Sequence, residues 1–239
     1  MASDSRRAKL WDLPVRLIHW SFVVLLPLLW WTAENGEMDL HMTLGLVMLG
    51  LVVFRVLWGL VGSSTARFAS FVRGPITVIS YLRGLSKSES ETSAGHNPAG
   101  GWSVVLLLGL LAVDVGLGLI AQNVDGVTGS LNYLVSYDQA EQATELHELG
   151  FNILLAVIVL HIAAILFYTF VKKDRLVPPM ITGSKDLPTA VTTPVMAPAW
   201  RILPCLLIAA ALTWWVSIGA PTSLEQFNAP PPVDASEYM

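Results

Sequence analysis

Apolar residues in this chain come in long unbroken runs, not at the spacing of a half-buried strand or surface helix. Five runs are long enough to span a bilayer: about Pro14 to Ala33, Leu40 to Val61, Trp102 to Gln122, Glu145 to Val171 and Ala199 to Gly219. A span needs about 20 residues, each rising about 1.5 Å. Backbone polar groups in hydrocarbon must be satisfied within their own segment, so these runs are expected to be helices. The pattern predicts an all-α integral membrane protein. Its parts are an N-terminal segment 1–13, a four-helix domain 14–176, a linker 177–198, a fifth transmembrane helix 199–219 and a tail 220–239.

The connections carry their own signals. Residues 63–100 include Pro75 to Gly84, which reads as a short interfacial helix. Residues 172–198 are rich in Pro and Thr and read as a loose linker. The tail contains Asn228 followed by Ala-Pro-Pro-Pro, a stiff extended segment. Arg6, Arg7 and Lys9 precede the first run as they would in a secretory signal. That run contains Arg16 and His19, is too long for a leader and ends at Thr32–Ala33–Glu34–Asn35, so it reads as a retained helix.

Composition sharpens this picture. Hydrophobic residues make up 54% of the chain and charged residues 13%, against about 25% charged in a soluble domain. The single cysteine, Cys205, rules out an intrachain disulfide, and no Cys-x-x-Cys-His is present for covalent haem attachment. The 14 basic residues are sharply partitioned. With the N-terminus inside, the inner segments hold Arg6, Arg7, Lys9, Arg67, Arg73, Arg83, Lys87, Lys172, Lys173, Arg175 and Lys185, while Arg16, Arg55 and Arg201 lie near inner helix ends. The outer segments hold no basic residue and carry Glu34, Glu37, Asp39, Asp125, Asp138, Glu141, Glu225, Asp234 and Glu237. The positive-inside rule then puts the N-terminus in the cytoplasm and the C-terminus outside. The acidic outer surface would attract a basic soluble partner. No nucleic-acid partner is expected.

The candidate chemistry lies in the histidines. His19 is near the inner end of the first span, His41 at the outer end of the second, and His147 at the outer end of the fourth, with His161 fourteen residues further along. Fourteen helical residues rise about 21 Å and fall about 40° short of four turns. His147 and His161 therefore face nearly the same way at two depths. The matching depths pair His41 with His147 and His19 with His161, two bis-imidazole sites for two haem b groups across the bilayer. Isolated histidines of this kind can be structural, but four at two matched heights need polar partners in lipid, and metal supplies them. Zinc transport would want ligands converging on one point, commonly with carboxylates.

Other residues join this constellation. Arg55 lies fourteen residues inward of His41 and Arg16 one turn before His19; both are candidates to pair with inner haem carboxylates, with snorkelling to the inner surface as the alternative. Gly45, Gly59 and Gly150 lie along the histidine faces, where they suit either a flat macrocycle or ordinary helix packing. Asp114 is the one acid deep in the third span, a candidate proton acceptor from quinol or an acceptor for a hydrogen bond from a neighbouring helix. His96 is either part of a turn that starts the third helix or a ligand to a quinone head group. Trp11, Trp20, Trp30, Trp31, Trp58, Trp102 and Trp200 read as an interfacial belt.

The sequence resembles the bacterial cytochrome b561 family, in the branch shared with the b-type subunits of nickel–iron hydrogenases. The resemblance runs over about residues 10–185. It is carried by Trp11 to Trp20, His41, Arg55 to Gly59 with Gly62, Ala66–Arg67–Phe68, Gly95 to Trp102, the His147/His161 pair and Met180 to Lys185. It implies a four-helix bundle in the bacterial inner membrane, with two b haems on His19, His41, His147 and His161. It also implies exchange with quinone and electron transfer to partner redox proteins. The fifth helix and the outer tail exceed the four-helix pattern and read as a docking device for another subunit or copy.

The leading expectation is an electron-transfer subunit linking quinol to an outer c-type cytochrome or hydrogenase-like enzyme. One alternative is a stand-alone superoxide:quinone oxidoreductase. Another is a non-redox anchor or assembly subunit.

Overall fold

Helix boundaries in the computed structural model, which describes residues 5–85 and 94–221, follow local capping chemistry. Asp12 caps the first helix, α1 (Leu13–Glu34), by accepting from the Val15 amide at 2.9 Å. A 3-residue turn then leads to α2 (Met38–Val61). Two short helices follow, α3 (Phe68–Phe71) and α4 (Pro75–Gly84). Asn97 caps α5 (Pro98–Ile120), whose Pro98 sits in the first turn where no amide is needed. Ser136 and Gln139 form a reciprocal capping box that starts α6 (Tyr137–Phe170). That cap places the start of α6 eight residues before Glu145, where the apolar run begins. At 34 residues α6 is about 51 Å long, so it projects well beyond a hydrocarbon core of about 30 Å. α7 (Val177–Thr182) and α8 (Ile202–Ser217) complete the helices.

Among the described residues, five helices are long and apolar enough to cross a membrane: α1, α2, α5, α6 and the segment Ala199–Ser217 that contains α8. Most of their large apolar side chains point outward, among them Leu17, Val24, Val113, Leu160 and Leu207. That is the pattern expected where the surrounding solvent is lipid. The buried interior is narrow. Met48 and Val52 of α2 pack on Leu108 and Leu111 of α5 and Leu154 of α6. On the opposite side of α2, Phe54 and Trp58 pack on Val15 and Ile18 of α1 and on Cys205 and Ala209 of α8. α2 is thus the central helix. α6 packs closely along α5 and has little backbone contact with α1 or α2.

The two ends of the bundle differ in charge. One end gathers residues 5–13, 62–75, 94–102 and 172–201, tied by Thr65 Oγ1 donating to Leu10 O at 2.7 Å, Trp102 Nε1 to Arg73 O at 2.8 Å and Ala197 N to Ser63 Oγ at 2.9 Å. This end carries Arg6, Arg7, Lys9, Arg67, Arg73, Arg83, Lys172, Lys173, Arg175 and Lys185. The other end holds the α1–α2 turn, the 121–136 loop and the end of α8, with Tyr133 donating to Gly219 O at 2.6 Å. Glu34, Glu37, Asp39, Asp125, Asp138 and Glu141 lie there. Lys87, Glu225, Asp234, Glu237 and the Pro-rich segment after Asn228 fall outside the described residues.

Two sequence expectations are corrected. The 172–198 connection is not a loose linker: it contains α7 and a strand, β2 (Ser184–Pro188). β2 pairs antiparallel with β1 (Ser5–Lys9), with Arg7 opposite Asp186, so the N-terminal segment is ordered too. Neither strand is apolar enough to be read from hydropathy, because only Ala8 and Leu187 turn inward. Trp11 and Trp58 do not belong to an interfacial belt. Both are buried, and Trp58 Nε1 donates to the helix-capping Asp12 at 2.9 Å, which makes it a core residue with its polar atom satisfied.

Candidate functional site

The histidines on α2 and α6 come together near the acidic end. His41 and His147 meet edge-on, with ring centroids 6.1 Å apart and planes at 86°. Each ring is held by its Nδ1. His41 Nδ1 lies 3.0 Å from the Leu29 carbonyl, with Thr32 Oγ1 at 3.2 Å, and His147 Nδ1 lies 2.9 Å from the Asp114 carbonyl. A carbonyl can only accept, so both Nδ1 atoms carry the proton and both Nε2 atoms are the free lone-pair nitrogens. The fixed tautomer and a fixed ring plane are what a metal-binding imidazole requires from its surroundings.

The α5–α6 interface is built around His147. Gly118 lies under the imidazole, where an added Cβ would come within 3.2 Å of Cε1. Asp114, one turn earlier on α5, is buried, and its Oδ1 lies 3.3 Å from His147 Nδ1. The proton on Nδ1 points to the Asp114 carbonyl, so Oδ1 makes no hydrogen bond of its own. Gly150 provides the space for that carboxylate: a Cβ there would sit 2.7 Å from Oδ1.

The other pair is at the basic end. His19 and His161 are near enough to interact electrostatically, but their rings make no contact. His19 Nδ1 is buried without a hydrogen-bond partner, and His161 makes no hydrogen bond among the described residues. His96 is held between Trp11 and Phe71, at ring-centroid distances of 4.6 and 4.5 Å, and interacts electrostatically with Arg55 and His161. Burial, reinforced by the Arg55 charge, lowers its pKa to about 3, so the ring is neutral throughout the physiological range.

The two arginines differ in their surroundings. Arg55 is 7% exposed, makes a single 3.4 Å hydrogen bond among the described residues, to the Ala66 carbonyl, and lies 5.2 Å from the Phe68 ring centre. No carboxylate ion-pairs with it among the described residues. Arg16 donates to the Ile181 carbonyl and packs against Gly183, which ties α1 to the turn after α7, while its Nε is buried without a partner. The glycines divide in the same way. Gly45 faces open space, but Gly59 is covered by the Phe68 ring and Gly150 by Asp114. At the last two positions the protein's own side chains use the room.

Sequence reasoning singled out the histidines and Asp114 but missed what holds the rings. The Leu29 and Asp114 carbonyls have no signature, since any residue supplies one. Gly118, four residues after Asp114 on one helical face, was the available signal for the close approach at His147.

Long apolar helices that present opposed, pre-oriented imidazoles within the bilayer define the class of helical membrane b-type cytochromes. The match to known families makes this specific. The family model of prokaryotic cytochrome b561 matches residues 10–183, and the chain belongs to that family. It is a haem protein of the bacterial membrane that takes part in electron transport. No curated protein and no solved structure matches it.

Proposed function

We propose that the chain is a di-haem cytochrome b that moves electrons across the membrane, between quinone near the basic, cytoplasmic end and a redox partner at the acidic, outer end. The observation that carries this reading is the His41/His147 pair. Two imidazoles bound through Nε2 to one iron, at about 2 Å each with ring centres about 1 Å further out, have centres about 6 Å apart; the observed separation is 6.1 Å. Both rings also have Nδ1 tied to a carbonyl, which selects the ligating tautomer.

In this reading His41 and His147 hold the outer haem, and His19 and His161 the inner one. Above and below the Met48–Leu154 contact, the wide backbone separation of α6 from α1 and α2 suits flat macrocycles between them. Arg55, a buried guanidinium that forms no ion pair with a carboxylate among the described residues, is assigned to an inner haem carboxylate, where a two-pronged ion pair would offset its desolvation. Arg16 donates through Nη1 to the Ile181 carbonyl, and its buried Nε, without a partner among the described residues, is available for that role. Bound haem supplies one-electron iron chemistry. The protein would supply histidine nitrogens, a water-poor interior and fixed dipoles that tune each potential.

The acidic end suits a partner with a basic docking face, such as a c-type cytochrome or another redox subunit. α8 buries Cys205, Ala209 and Val216 inward and leaves Leu203, Leu206 and Leu207 facing out, so a second subunit or copy could pack there.

Haem quantification by pyridine haemochrome tests the proposal. Purified wild type should carry two b haems per chain. His41→Ala and His147→Ala should each lose the same one, and His19→Ala and His161→Ala the other. A colourless wild-type protein, or His147→Ala with full haem content, would sink it.

A further inference from the structure

Asp114 is the buried side chain that the haem-binding proposal leaves without a role. Two oxygens of this one residue bracket the same imidazole proton: the carbonyl at 2.9 Å and the carboxylate Oδ1 at 3.3 Å from His147 Nδ1. Oδ1 is buried and otherwise unpartnered. The site is shaped to admit the carboxylate, because Gly150 is the one residue type that leaves it room at 2.7 Å. Among the described residues, none of the other three proposed ligands has a carboxylate oxygen within ion-pair distance of its ring. His41 Nδ1 meets only neutral oxygens, those of Leu29 and Thr32. His19 Nδ1 has no partner and His161 makes no hydrogen bond among the described residues.

We infer that Asp114 is a positioning and tuning residue: its carboxylate beside His147 Nδ1 selectively lowers the reduction potential of the outer haem and so separates the two potentials. This rests on the assignment of His147 as an axial ligand. A carboxylate beside the Nδ1–H, which itself bonds to the Asp114 carbonyl, polarises the ring and makes the imidazole a stronger electron donor through Nε2. The same negative charge favours the more positive, oxidised iron, and it acts strongly where water is scarce. Both effects have the same sign. Without the carboxylate the outer site should therefore be easier to reduce.

The test is a spectroelectrochemical redox titration of the purified full-length protein in detergent, on wild type, Asp114→Asn and Asp114→Glu. His41→Ala identifies the inner component as the one it retains. Asp114→Asn should keep both haems and shift only the outer component upward, by about tenfold in its reduction equilibrium, which is 59 mV for one electron. Asp114→Glu should restore part of that shift. The inference is overturned if Asp114→Asn keeps both haems with neither component moved or both moved equally. It is also overturned if Asp114→Asn loses the outer haem, which makes the role structural, or if Asp114→Glu keeps both haems without any restoration. Failure of the underlying assignment looks different: the haem content of His147→Ala would be unchanged, whatever Asp114 does.

Discussion

His96 shows how much a single side chain can depend on its packing. It is held between Trp11 and Phe71 with Nδ1 buried and unpartnered, and its pKa is lowered to about 3. An unfolded histidine titrates near about 6.5. Between those values the unfolded chain binds a proton that the folded chain does not, so stability is full above about pH 6.5 and falls as the pH drops toward 3. Thermal unfolding in detergent across that range should show this loss, and His96→Asn should show a shallower acid slope than wild type. Identical slopes would mean that the ring is not held neutral by its site. The sequence allowed a turn or a quinone ligand at this position. It could not show the aromatic clamp, because Trp11 and Phe71 lie on segments brought together only by the fold.

At the scale of elements, hydropathy located what lipid dictates and missed what water dictates. The five spans were legible because hydrocarbon tolerates few alternatives to an apolar helix. So was α4, whose Pro75 start and Gly84 end punctuate an amphipathic decamer. The β1–β2 pair was not legible, since five-residue strands such as Ser5–Lys9 and Ser184–Pro188 have almost no apolar signal and their pairing spans most of the sequence. The site divides along the same line. The fourteen-residue spacing of His147 and His161 is a property of one helix and can be counted. The Leu29 carbonyl that orients His41 belongs to a different helix and cannot. Two strands alone are marginally stable, so this ribbon should depend on both partners and on Leu10 N bonding to Gly183 O at 2.8 Å. Ala8→Pro, in a hydrogen-bonded pair of this ladder, would remove a ladder donor and should expose residues 184–198 to limited proteolysis while leaving haem content unchanged. Unaltered cleavage would show that the connection is held by other contacts.

For the molecule as a whole, the proposed haem ligands and the fifth helix are separable. All four histidines lie on α1, α2 and α6, and α8 packs on the far side of α2 from the Met48–Leu154 cluster. A chain ending at residue 198 should keep its full haem-to-protein ratio and lose thermal stability, because Cys205 and Ala209 leave Phe54 and Trp58 uncovered. Loss of either haem on truncation would show that α8 supports the site itself.

The small ribbon at the basic end has a topological corollary. Its first strand is made before any crossing of the bilayer and its second after four. The two can zip together only if the number of crossings between them is even. A chain that skipped or added one insertion during biogenesis would strand them on opposite faces, so the ribbon acts as a parity check on the finished topology.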